Sequence, residues 1–227
     1  MLPLADDVWQ LPLAPRNAIN AYLIGDVLVD TGIKQSAGKL AGMLEGRRLS
    51  AIALTHAHND HAGAMKELAD RLGVPVWCGA QDREATETGR VVLAPAFRRP
   101  RLNALIGATA GFDGAPVDRT LAEGDALSAG FIVLDTPGHS PGHVSFWREA
   151  DRTLVCADVF FNMHLLTTVP GLRQPPHLFT ADPAENRRSE RRLAALEPAT
   201  VGFGHGPVLR EEAAQRLREF AQTLPPT

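Results

Sequence analysis

The sequence predicts a layered α/β fold, and three observations predict it. The 227 residues are 44% hydrophobic, which suffices for one good-sized core. Two β-rich stretches are each followed by amphipathic helices, so that each half could donate a sheet. Apolar strands also run directly into polar residues at their ends, where layered folds collect functional groups. A single domain spanning residues 1–227 is expected.

The first half opens with short strands at Val8 to Leu13, Ala18 to Ile24 and Val27 to Asp30, separated by Pro/Asn and Gly-Asp turns. Ser36 to Glu45 reads as a helix with Ser36 as its cap and Gly46 as its stop. "AIALT", Ala51 to Thr55, is an apolar strand that runs into "HAHNDH". Ala62, Met65, Leu68, Ala69 and Leu72 then recur at helical spacing, and Gly73 ends that helix before the strand "VPVWC". Residues 81–114 mix prolines, arginines and glycines with an apolar stripe, which predicts an irregular or helical insertion placed as a lid.

The second half places strands at Arg119 to Leu121, Phe131 to Asp135, His143 to Trp147 and Thr153 to Cys156. The segment 160–179 is poorly patterned. Asp182 to Leu196 is an amphipathic helix with Asp182 as N-cap and Pro183 at its first position. The strand "TVGFG" and a helix from about Arg210 to Gln222 complete the pattern.

The formal charge of −3 comes from 23 basic and 26 acidic residues spread along the chain, which argues against nucleic acid or an anionic membrane as partner. A small-molecule substrate fits better. No stretch approaches a membrane span and the N-terminus lacks a signal pattern, so a cytoplasmic location is expected. Cys78 and Cys156 each sit inside an apolar run and read as buried reduced thiols.

Chemistry concentrates in "THAHNDH". Side chains two apart on an extended segment point the same way, so His56, His58 and Asp60 line one side of the strand's mouth, with His61 following at the helix start. His56 and His58 could chelate one cation, and the offset Asp60 and His61 a second. Asp60 taken alone reads as an ordinary helix cap, and the histidines as loop or packing groups. Three further residues at strand ends weigh against that: His139 in "DTPGHSPGHVSF", Asp158 in "LVCADVF" and His205 in "VGFGHGPV".

Together these motifs resemble the metallo-β-lactamase-fold hydrolases, from "YLIGDVLVDTG" to "GHGPV". The resemblance implies an αββα sandwich with metals at one edge between two β-sheets. It implies that His56, His58 and His139 hold a first metal, that Asp60, His61 and His205 hold a second, and that Asp158 bridges both. Two divalent ions are expected, zinc first, with manganese or iron as alternatives because the donors are nitrogen and oxygen. A hydroxide trapped between the metals would attack an ester, thioester, lactone or similar bond, with Asp60 orienting it and relaying its proton.

Asp30 matches a family position and is expected to orient a ligand loop, while Thr55, Ser140 and His143 read as hydrogen-bonding supports. Asn162 and His164, which follow Asp158, are the candidates for facing substrate. Arg98, Arg99 and Arg101 suit an anionic substrate or a solvated face. The stripe Leu102, Leu105 and Ile106 suits a pocket or a homodimer.

Departures from subfamilies narrow the expectation. Asp158 stands where one class of true β-lactamases uses cysteine. The acyl-homoserine lactonases use a tyrosine after the bridging aspartate, whereas the only tyrosine here is Tyr22. Glyoxalase II has a similar ligand set but adds a C-terminal glutathione-binding domain, for which the sequence leaves no room after His205. The alternative activity is that of a mononuclear iron persulfide dioxygenase, followed by a phosphodiesterase or a metal-binding protein without turnover.

Overall fold

A computed structural model describes residues 1–91 and 111–226. The first sheet has seven strands in sequence order: β1 (Leu2–Ala5), β2 (Val8–Pro12), β3 (Asn20–Ile24), β4 (Val27–Val29), β5 (Ala51–Ala53), β6 (Val76–Gly79) and β7 (Arg119–Leu121). β1 to β4 pair antiparallel as a meander. β4 to β7 are parallel, and helices make the crossovers as parallel pairing requires. α1 (Ala37–Met43) links β4 to β5, and α2 (Asn59–Ala62) with α3 (Met65–Leu72) link β5 to β6. α4 (Arg83–Thr88) follows β6 and stops at Gly89, whose φ of +69° is the left-handed conformation common at helix ends.

The second sheet is ordered β13-β10-β9-β8, from β8 (Ile132–Asp135), β9 (Val144–Arg148), β10 (Thr153–Ala157) and β13 (Thr200–Phe203). A separate hairpin pairs β11 (Phe161–Met163) with β12 (Pro170–Arg173). α5 (Pro183–Ala195) precedes β13, and α6 (Ala213–Thr223) follows it.

Three apolar layers show why these elements stack in this order. Period-two alternation sends Ala21, Leu23, Leu28 and Ile52 to one face of the first sheet, where they pack with Leu40, Met65 and Leu68 of α1 and α3. It sends Tyr22, Ile24, Val27, Val29 and Ala53 to the other face, against Val133, Val144, Phe146 and Val155 of the second sheet. The outer face of that sheet contributes Leu134, Trp147, Leu154 and Cys156 to a layer with Leu193 and Leu217 of α5 and α6. The order helix, sheet, sheet, helix is the αββα sandwich.

Several local expectations are corrected. The helix expected from Ala62 to Leu72 is two pieces, because the chain turns at Gly63 and Ala64 between α2 and α3. Ser36 makes no capping hydrogen bond: Lys34–Ser36 already form a 3₁₀ turn feeding α1, so its backbone is helical. Asp60 lies inside α2, whose cap position is His58. β1 and the β11–β12 hairpin carry no strong alternation and were not expected. Asp182 does cap α5, accepting from the Ala184 and Glu185 amides at 2.9 and 3.0 Å, with Pro183 next. Of the region expected as a lid, 92–110 lies outside the described residues, and with it Arg98, Arg99, Arg101, Leu102, Leu105 and Ile106. Both cysteines are free and buried. Among the described residues, no helix is long and apolar enough to cross a membrane.

Candidate metal centre

Strand ends from both sheets converge at one edge. β5 delivers His56, His58, Asp60 and His61; β8 leads to His139; β10 ends at Asp158; β13 leads to His205. Parallel strands collect their functional groups at carboxyl ends, and β4, β5 and β6 point Asp30, His56 and Asp82 that way. Asp158 is turned out of β10 by a register shift between Val155 and Ala157, with Ala157 at the strained φ of +42°.

Three sets of donor atoms each fall within 4.8 Å of one another: His56, His58 and His139; His56, His61 and Asp158; and Asp60, His61 and His205. Asp158 lies at the middle. Its Oδ2 is 3.4 Å from His139 Nε2, 3.2 Å from His205 Nε2 and 3.9 Å from His56 Nε2, and its Oδ1 is 3.4 Å from His61 Nε2. Asp60 Oδ2 is 3.3 Å from His205 Nε2.

The outer hydrogen bonds fix what the rings present inward. His61 Nδ1 donates to Asp30 Oδ2 at 2.8 Å, and His205 Nδ1 to the Ala18 carbonyl at 2.6 Å. The Thr55 hydroxyl gives its proton to Asp30 Oδ2, so it accepts from His56 Nδ1 at 3.1 Å. The Thr180 hydroxyl gives its proton to the Pro176 carbonyl, so it accepts from His139 Nδ1 at 3.4 Å. With Nδ1–H engaged in all four rings, each Nε2 is turned to the centre, the orientation a ligand requires. His58 points Nδ1 inward instead, 3.0 Å from His139 Nε2.

This donor set fits a cation. His56 Nε2, His61 Nε2 and Asp158 Oδ1 are buried with no hydrogen-bond partner among the described residues, and orphaned buried acceptors are costly. The electrostatics point the same way. Burial opposes protonation of His61 and His205, yet the carboxylates of Asp158 and Asp30, and of Asp158 and Asp60, outweigh it; the His205 imidazole is raised to about 10. Burial and the neighbouring imidazoles push His56 and His139 down. The histidine side chains hold Asp158 well below the usual carboxylate range against its burial. The centre therefore attracts positive charge while several of its rings stay neutral.

The supporting residues occupy defined places. Asp30 accepts from the Thr55 amide and hydroxyl, both at 2.8 Å, as well as from His61, so it ties β4 to the histidine loop. His143 stacks behind His56 at 5.0 Å and shares a 2.9 Å hydrogen bond with Thr136; burial lowers its pKa to about 3. Asn162 is buried; its Nδ2 donates to the Pro207 carbonyl and its backbone amide to the His205 carbonyl, which ties it to the His205 loop. His164 sits in the β11–β12 turn, where its Nδ1 accepts from the Thr167 amide.

Sequence reasoning missed Asp82 and Gly204. Asp82 is fully buried and accepts from the Ala57 amide, the Ser140 hydroxyl and the Gly142 amide, which joins the histidine loop to the His139 loop. Its signal was a carboxylate at the exit of β6, beside the strand that carries the histidines. At Gly204 a Cβ would lie 2.0 Å from Asp158 Oδ1 and 2.6 Å from His61 Cε1, so only glycine lets β13 approach the centre.

A family model described as "Metallo-beta-lactamase superfamily" matches residues 14–205. "Probable metallo-hydrolase YflN" of Bacillus subtilis (strain 168) is 32% identical, over 95% of this chain and 85% of that protein. A "Hydroxyacylglutathione hydrolase" of Methylococcus capsulatus is 28% identical, over 97% of this chain and 72% of that protein. Among solved structures, TTHA1623 in a di-iron-bound form superposes with a TM-score of 0.68 at 32% identity, covering 93% of this chain and 99% of that one. The BLEG-1 B3 metallo-beta-lactamase superposes with a TM-score of 0.64 at 30% identity, covering 89% and 93%.

Proposed function

The chain belongs to the metallo-beta-lactamase superfamily and is a metal-dependent hydrolase; from that premise we propose that it holds two divalent cations and cleaves an ester-type bond, carboxylic ester, thioester or lactone, in a small molecule. The observation that carries the reading is the position of Asp158, whose Oδ2 reaches toward His139 of one ligand set and His205 of the other while its Oδ1 reaches toward His61. His56, His58 and His139 would hold one cation, Asp60, His61 and His205 the other, and Asp158 both. Zinc suits this nitrogen and oxygen set; iron is the alternative that the di-iron-bound relative makes specific.

Bound cations supply Lewis acidity for a carbonyl oxygen and bring the pKa of water toward neutrality. The chain's own residues do the rest. Asp60 keeps about a third of its side chain exposed, whereas Asp158 is almost wholly buried, so Asp60 Oδ2 is the carboxylate oxygen placed to accept a proton from an attacking water. It returns that proton to the leaving oxygen or sulfur. Asp30 and the Ala18 carbonyl keep His61 and His205 in the inward-facing tautomer through the cycle. The buried inner wall, with His143 behind His56, excludes bulk water from the ligand side of the cleft.

The deciding experiment combines metal analysis of the purified protein with a panel of lactone, thioester, β-lactam and phosphodiester substrates. Two metal equivalents per chain with turnover of an ester or thioester are expected. One iron per chain with oxygen consumption on a persulfide would overturn the reading.

A further inference from the structure

The β11–β12 hairpin and the turn after it display apolar side chains beside the metal centre: Leu166 is 91% exposed, Val169 54%, Leu178 49% and Phe179 50%. Single exposed apolar residues are ordinary, but a group on one element is not. The element also borders an open cavity of about 340 Å³ lined by Phe161, Met163, Leu165, Leu166, Pro176 and Phe179. Two of its polar lining groups are engaged within the protein: His164 Nδ1 accepts from the Thr167 amide, and Gln174 Nε2 donates to Glu190. Arg173 also lines it but stands exposed to solvent.

Phe161 connects this cavity to the chemistry. Its ring lies 4.5 Å from that of His205 and 6.4 Å from that of His139, so one aromatic side chain is the wall between the apolar space and the inward-facing nitrogens. A carbonyl held at those nitrogens would have this apolar cavity on the far side of the Phe161 ring.

We propose that this cavity is an acyl-chain subsite, and that the protein takes esters or thioesters of medium-length aliphatic acids, with the chain packed over Phe161 between Met163 and Phe179. The proposal rests on the hydrolase reading above and adds its substrate class. Water adds across the acyl C–O or C–S bond, giving the fatty acid and the free alcohol or thiol. A chain in the cavity also covers the exposed Leu166 and Phe179, and this shared burial is the source of selectivity.

The test is a series of p-nitrophenyl esters and matching thioesters from acetyl to octanoyl, run on the metal-loaded protein. Each methylene that enters the cavity should raise kcat/KM by about three- to fourfold until the space is filled. Leu165→Trp, which fills the cavity, and Phe179→Asp, an exposed change that spares the core, should both flatten the series. Calorimetric binding of octanoate supplies a readout independent of turnover and should weaken tenfold or more in both variants. A flat series in a protein that cleaves the acetyl ester overturns the subsite and leaves the hydrolase reading standing. Octanoate binding without cleavage of any ester or thioester, with two metals bound, overturns the hydrolase reading instead.

Discussion

The Ser140 hydroxyl donates to Asp82 Oδ2 at 2.6 Å, and through this contact the two halves of the molecule hold one another's ligand loops. Asp82 comes from the exit of β6 in the first sheet, and Ser140 follows His139 in the loop after β8 of the second. The same carboxylate accepts from the Ala57 amide, between His56 and His58, so the spacing of His56, His58 and His139 is set across the sheet interface. Asp82→Asn removes charge and one acceptor while keeping volume. Metal affinity should fall by about tenfold or more, measured by competition with a chelator, with a smaller loss in Tm. Unchanged affinity in a folded variant would show that Asp82 only supports the fold.

Gly204→Ala places a methyl group where Asp158 Oδ1 and His61 already lie. The variant should retain its sheets by circular dichroism yet lose metal stoichiometry, because the centre must open to admit the Cβ. Full metal content with wild-type turnover would contradict the close approach.

Asp158 and Asp60 should separate cleanly. Asp158→Ala takes away the one carboxylate shared by both ligand sets and should leave protein with less than two metals per chain and no measurable turnover. Asp60→Asn should cut kcat by about a hundredfold or more while KM changes little, the pattern of a lost proton acceptor. Two metals and full rate in Asp158→Ala would sink the bridging role.

Metal removal should lower stability as well as activity. Buried imidazole nitrogens and Asp158 Oδ1 lose their counter-charge when a chelator strips the centre, so Tm should drop and return on adding zinc. Identical melting with and without chelator would mean the centre does not bind metal in the folded state.

Glu190 predicts a pH dependence away from the centre. It is buried on α5, one oxygen accepts from Gln174 at 3.1 Å, and Oε1 has no partner among the described residues. Burial raises its carboxyl from 4.5 to about 8. The folded state therefore prefers the protonated form: its stabilising effect is complete below pH 4.5 and is lost as pH rises through about 8. Glu190→Gln should melt higher than the wild type at pH 9, by roughly 5 °C, and nearly equal it close to pH 5. Equal melting at both pH values would refute the shift.

Much of the centre was legible because its chemistry is local in type even where it is distant in sequence. Histidines and carboxylates at strand exits are few, and "THAHNDH", His139, Asp158 and His205 each stand out from apolar strands with no packing reason to be polar. Apart from β1, the strands of both sheets were legible through alternation, since faces that meet different layers need apolar residues at period two. The β11–β12 hairpin was not, because it packs over an edge and its apolar residues follow no two-face pattern.

The sequence by itself determined the layered α/β class, the two β-rich halves and the inventory of donors. Only the tertiary structure decided how those donors are oriented and supported. Asp82 looked like an ordinary acidic residue until three donors from two loops surrounded it, and the tie of the Asn162 side chain to the Pro207 carbonyl has no mark in the sequence. Gly204 has no side chain to signal anything, yet the close approach of β13 to Asp158 depends on it. The physical reason is the same in each case. Donor identity is carried by single residues, whereas tautomer, spacing and cavity shape come from hydrogen bonds and close contacts between segments far apart in the chain.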